Sequence, residues 1–176
     1  MDIQSAYLES IKIRFSYYRD LGEKAIAQLN DAQLIFHADE SNSIVMIIRH
    51  ISGNLISRFT DFLESDGEKL WRNRDEEFRE VKLSREELME VWRNGWSCLF
   101  HALDLLNGDD LMKMVLIRGE SLSVVDALNR QLAHHAYHIG QIVFASKEMV
   151  GSGWQNLSVP KGGSQAFNDQ MEKQKR

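Results

Sequence analysis

The only proline in the chain is Pro160, so every residue before it is free of the one side chain that reliably breaks a helix. Apolar residues recur at spacings of three and four over long stretches, and the two features together predict a mostly helical protein. In the first stretch, residues 2–29, Ile3, Tyr7, Ile11, Phe15, Tyr18, Ala25 and Leu29 form one stripe, with Asp2 placed as an N-cap. A second stripe runs over 43–64 through Ile44, Ile47, Ile48, Ile51, Leu55, Phe59, Phe62 and Leu63, stopped by Ser65, Asp66 and Gly67. Ser84 and Glu87 form a capping-box pattern that opens a third, 84–106, carrying Leu88, Trp92, Trp96, Leu99 and Leu103. The fourth, 123–149, carries Val124, Leu128, Leu132, Ile139 and Ile142 and meets a stop at Gly151.

The connections are less regular. Residues 30–42 are polar and end in a cap. The segment 68–82 is strongly charged, has no clear period and is long for a loop, which suits a crossing from one end of the helices to the other. Residues 111–118, LMKMVLIR, are rich in β-branched and alternating character and predict a short extended piece that turns at Gly119-Glu120. In the tail, 152–176, Trp154, Leu157 and Phe167 are candidates to dock, and the last six residues, MEKQKR, are expected to fray.

Composition narrows the class. With 176 residues, 43% of them hydrophobic and 27% charged, the chain suits one domain with a full core and a well-solvated surface. A formal net charge of −5 leaves no basic surplus to displace phosphate counterions, so nucleic-acid binding is not expected; the arginines between Arg72 and Arg79 alternate with Asp75, Glu76 and Glu77. The first residues, MDIQSAYLES, have neither a basic nor an apolar leader region, and no run approaches the length of a membrane span. A soluble, cytoplasmic protein is expected. Cys98 is the single cysteine, which excludes an internal disulfide and any multi-cysteine zinc site; beside bulky neighbours it reads as a small buried hydrophobe.

Any metal therefore falls to histidine or carboxylate. His134 and His138 are four apart on the fourth helix, one above the other and able to share an ion. His135 and His138, three apart, form a competing pair. At about 100° per residue, His135 falls near the middle of the apolar stripe, where a packed neutral imidazole is the simpler reading, whereas His134 and His138 fall at its edge. His50 is the natural third ligand. It lies about 120° from its own stripe's centre, on a polar strip with Ser43, Asn54, Ser57 and Asp61 that suits a wet pocket. His37 and His101 share no face with these and read as surface residues.

Gln131 and Asn54 lie on the histidines' faces as polar packing groups, with Tyr137 and Arg58 as neighbours of unknown reach. Trp92 and Trp96 read as core fillers. Trp154 with the following LSVPKGGSQAFN either covers the site as a lid or simply packs. No strand and helix frame Lys161-Gly162-Gly163, so a phosphate loop is not read there.

Four blocks, NSIVMIIRHISGNLISR, DGEKLWRNRDEEF, NRQLAHHAYHIGQIV and LSVPKGGSQAFN, resemble the DinB-like superfamily, and more closely a branch of small bacterial proteins of unknown function within it. The resemblance covers nearly the whole chain. It implies an all-α four-helix bundle with long crossover connections, in which His50, His134 and His138 bind a divalent ion such as nickel or zinc. The stretch His138-Ile139-Gly140-Gln141 matches the family's pattern after the second histidine of its pair. The resemblance further implies a homodimer and, in some relatives, metal-dependent transfer of a low-molecular-weight thiol such as bacillithiol or mycothiol. Two functions follow: a thiol transferase or hydrolase acting on a small electrophile, or a noncatalytic metal-binding stress-response protein.

Overall fold

The computed structural model describes residues 2–174 and is mostly helical, as the periodicity implies. The long helices are α1 (Ile3–Ile26), α3 (Ile44–Phe59), α5 (Arg85–Leu105) and α6 (Val124–Val150), with short helices α2 (Asp31–Ile35) and α4 (Arg74–Glu77) between them and α7 (Ser164–Gln174) in the tail. One antiparallel hairpin, β1 (Met114–Ile117) and β2 (Glu120–Ser123), precedes α6. It turns through Arg118 and Gly119, both with positive φ.

Caps set the helix starts. Asp2, Ser43, Ser84 and Ser123 each accept a backbone N–H of the first turn, and Ser84 with Glu87 closes the expected capping box. Three boundaries differ from the periodic reading. The first helix stops at Ile26 rather than Leu29, because Asn30 caps a new helix, α2, within the polar connection. The second stops at Phe59 rather than Glu64: Thr60 turns extended and Asp61 has φ 49°, which buries Phe62 but leaves Leu63 exposed. The third difference lies in the tail. Trp154 and Leu157 pack against the core, but residues 171–174, expected to fray, continue the exposed helix α7; residues 175 and 176 lie outside the described residues.

Contacts along the helices fix their directions. Tyr7 donates to the Val125 carbonyl and Gly22 abuts Ile139, so α1 and α6 run parallel. Ser52 donates to the Val91 carbonyl and Thr60 meets Cys98, so α3 and α5 are parallel too. A Cβ on Gly95 would lie 2.7 Å from Ser52 Cα, so a side-chain-free position lets these two helices approach closely. Trp92, Trp96, Phe15, Ile48, Leu55 and Leu128 are fully buried between the layers. Each such side chain contributes about 1.5–3 kcal/mol of transfer free energy.

Parallel α3 and α5 require the chain to return from the end of α3 to its beginning, and the charged segment after α3 does so along α3 itself. Gly67 N–H donates to the Leu116 carbonyl of the hairpin; further on, Arg49 donates to the Glu77 and Arg79 carbonyls, and Glu80 meets His37 near the start of α3. No helix among the described residues is long and apolar enough to cross a membrane.

Candidate metal centre

Three imidazoles from two helices meet where α3 crosses α6. His50 projects from the middle of α3 and is 4% exposed; His134 and His138 stand one turn apart on α6, half-buried. His134 Nε2 lies 3.3 Å from His50 Nε2 and 3.2 Å from His138 Nε2, and one ring nitrogen from each lies within 4.8 Å of the others. His135 is fully buried against Phe15 and Trp96, away from this point. His134 and His138, not His135, thus gather with His50.

Proton positions follow from the partners. His50 Nδ1 faces a Glu77 carboxylate oxygen at 2.8 Å, which can only accept, so Nδ1 carries the proton and Nε2 presents a lone pair. His138 Nδ1 faces Gln141 Oε1 at 2.7 Å while Gln141 Nε2 donates to the Tyr137 hydroxyl; with the amide in this orientation Nδ1 donates and Nε2 is left to present a lone pair. One proton on His134 Nε2 satisfies at most one of them. Two of the three nitrogen separations, 3.3 and 3.2 Å, both from His134, match those of imidazoles sharing a small cation, since tetrahedral ligands at a zinc–nitrogen distance of about 2.0–2.1 Å stand about 3.3–3.4 Å apart. The donor set fits a divalent ion.

On α6, burial favours neutral imidazole, the ligating form. Burial, with His138, His50, Arg72 and Arg58 nearby, pushes His134 down to about 3. Burial also lowers His138, against the Gln141 hydrogen bond that raises it. His135, with both ring nitrogens lacking a well-formed hydrogen bond, is held well below the ordinary histidine range by burial first and by His134 next.

Glu77, on the segment that crosses back along α3, is the residue the sequence reading missed. Arg72 Nε and Nη2 donate to its two oxygens at 2.7 and 2.9 Å, and His50 takes one of those oxygens as well. Burial raises the Glu77 carboxyl, but the His50 and Arg72 hydrogen bonds outweigh it and leave the group below its ordinary value. Gly53 makes room: a Cβ there would strike Glu77 Oε1. The carboxylate fixes the tautomer and orientation of His50, the arrangement found behind metal-ligating histidines in general.

The histidines open into a cavity of about 450 Å³. Asn54 and Gln131 line it, as their helical faces suggest, and Tyr137 and Arg58, whose reach the sequence leaves open, line it too, together with Gln141, Phe78 and the arginines 72, 74, 118 and 130. The rest of the predicted polar strip serves elsewhere: Ser43 caps α3, Ser57 donates to the Gly67 carbonyl, and Asp61 is exposed. His37 bonds Glu80 and His101 is exposed, both apart from the site. Cys98 is half-buried beside Thr60, and burial raises its thiol. Trp154 is no lid, because its segment is tied to the end of α1 through Gln155 and Gln28 and contributes nothing to the cavity wall.

No curated protein and no solved structure matches the chain. A family model does, over residues 2–163, which takes in all three histidines, Glu77 and Arg72. The chain belongs to the family described as Protein of unknown function (DUF1572).

Proposed function

We propose that this chain is a DinB-like metalloprotein in which His50, His134 and His138 hold one divalent ion, zinc or nickel, and in which that ion activates a thiol or water against a small electrophile. The observation carrying this reading is the convergence of His50, His134 and His138, with one ring nitrogen of each within 4.8 Å of the others, at a place open to a 450 Å³ cavity. A purely structural site would gain nothing from that opening. Zinc held by three imidazoles supplies Lewis acidity in an unfilled coordination position and brings a bound water or thiol to its deprotonated form near neutral pH.

The chain's own groups supply the rest. Glu77 holds His50 in its ligating tautomer, and Gln141 does the same for His138. Tyr137 and Gln131 stand on the cavity wall as hydrogen-bonding groups for a reactant. In this reading α1, α3, α5 and α6 are the four helices of a DinB-like bundle, and the protein works in the cytoplasm as a homodimer.

The deciding test is elemental analysis of the protein purified without added metal, beside a His50→Ala, His134→Ala, His138→Ala triple variant. About one equivalent in the first and none in the second is expected; equal contents would sink the proposal. A second reading, an ion that only stiffens the fold, is favoured by the tie from His50 through Glu77 to the crossing segment. It predicts that chelation lowers the melting temperature while no thiol substrate turns over.

A further inference from the structure

The cavity in front of the histidines is built almost entirely from cations and neutral groups. Five arginines, 58, 72, 74, 118 and 130, line it and, among the described residues, no carboxylate does, in a chain whose formal net charge is −5. Behind them, Glu68 answers Arg58 and Arg118 together, Glu77 answers Arg72 and Glu120 answers Arg130. Three carboxylates thus pair with four of the five guanidiniums, and Asp66 stands close enough to feel Arg58. Arg74 has no carboxylate partner among the described residues and stacks at 4.9 Å over Phe78, whose ring is 4.9 Å from that of His50. Arg58 is buried with its Nε unpartnered.

Arg58 and Arg72 are buried beside the histidine cluster while Arg74, Arg118 and Arg130 stand more exposed around the opening, and gathering like charges there is unfavourable unless acceptors compensate it. A metal ion makes the excess larger. The arginines come from four separate places: Arg58 from α3, Arg72 and Arg74 from the crossing segment, Arg118 from the hairpin turn and Arg130 from α6. Their convergence on one cavity wall is therefore a property of the fold and not of one basic stretch. Guanidinium forks bind carboxylate and phosphate oxygens by paired, charge-assisted hydrogen bonds.

Resting on the metal reading above, we propose that the ligand of this cavity is a small acidic molecule. Its carboxylate or phosphate group is held by Arg118 and Arg130 with Arg58 behind them, and its other end faces the histidines. A volume of about 450 Å³ admits a molecule of that size. The arginines set the substrate class, and the histidines set the chemistry.

Calorimetric titration of the full chain tests this. On metal-stripped protein, succinate and inorganic phosphate are compared with neutral butane-1,4-diol, so that the anion site is judged whether or not a metal binds. At least one anion is expected to bind about tenfold or more tightly than the diol; the stronger of the two identifies carboxylate or phosphate as the preferred group. An Arg118→Gln, Arg130→Gln double variant, altered only at half-exposed side chains, is expected to lose that preference while keeping wild-type zinc content. On zinc-loaded protein, 3-mercaptopropionate is expected to bind about tenfold more tightly than 3-mercaptopropan-1-ol. Equal binding of anion and diol, or a preference undiminished in the double variant, would overturn the proposal. Failure of zinc to bind would instead overturn the metal reading, with the anion titrations still standing as the measure of this one.

Discussion

Glu77 Oε2 accepts from His50 Nδ1 at 2.8 Å across a sequence separation of 27 residues, and Arg72 grips the same carboxylate from the other side. One carboxylate thereby fixes the orientation of an imidazole and ties a crossing segment to a helix.

Removing that charge should weaken the centre without dismantling it. Glu77→Gln is expected to lower zinc affinity about 10- to 100-fold, the usual effect of losing a partner behind a ligating histidine. Gly53→Ala should do much the same with the carboxylate still present, because its new methyl group occupies the place of Glu77 Oε1. Competition against a chelating dye measures both. Wild-type affinity in both variants would show that Glu77 has no part in the centre.

His135 offers the contrast within one helix. Both its ring nitrogens are buried without a well-formed hydrogen bond, so exchanging the imidazole for an apolar side chain removes a desolvation cost and no good interaction. His135→Leu is expected to keep its metal and to unfold at an equal or higher urea concentration, whereas His138→Ala loses the metal. Metal content and urea midpoints of the two variants check this, and loss of the ion from His135→Leu would contradict the pairing of His134 with His138.

Acid should destabilise the metal-free protein. An imidazole whose folded value lies below its ordinary 6.5 takes up its proton more readily in the unfolded chain, so falling pH favours unfolding. The loss begins as pH drops through 6.5 and continues toward about 3, where His134 itself titrates in the folded state; above 6.5 it contributes no slope. His138 and His135 act in the same direction. Glu77, depressed from its ordinary 4.5, adds stability above that value that is lost as pH falls below it. Urea midpoints measured with chelator present should be level above about pH 7 and fall steadily toward pH 4. Midpoints unchanged between pH 7 and 5 would contradict this account.

What the sequence made legible follows from periodicity. A one-residue step of about 100° separates buried His135 from cavity-facing His134, and the same arithmetic puts Asn54 and Gln131 on the cavity wall. Periodicity has no grip on residues 68–82, so the burial of Glu77 and Arg72 was not visible there; their surroundings come from where the segment lies, not from its own pattern. Ser57 was misassigned for the related reason that the returning chain covers its face and takes its hydroxyl. The arginine wall escaped notice because its members are scattered from position 58 to 130 and each looks solvated alone.

The return path along α3 also governs the order in which the molecule can be assembled. His134 and His138 are in place as soon as α6 forms, a local event. His50 joins them only when α3 has docked, and Glu77 only when the chain has closed a loop across the 27-residue separation from His50, at an entropic cost set by that length. On the proposed metal reading, tight capture would belong to the last stage of folding: a half-folded chain offers two histidines, and the completed topology brings three together.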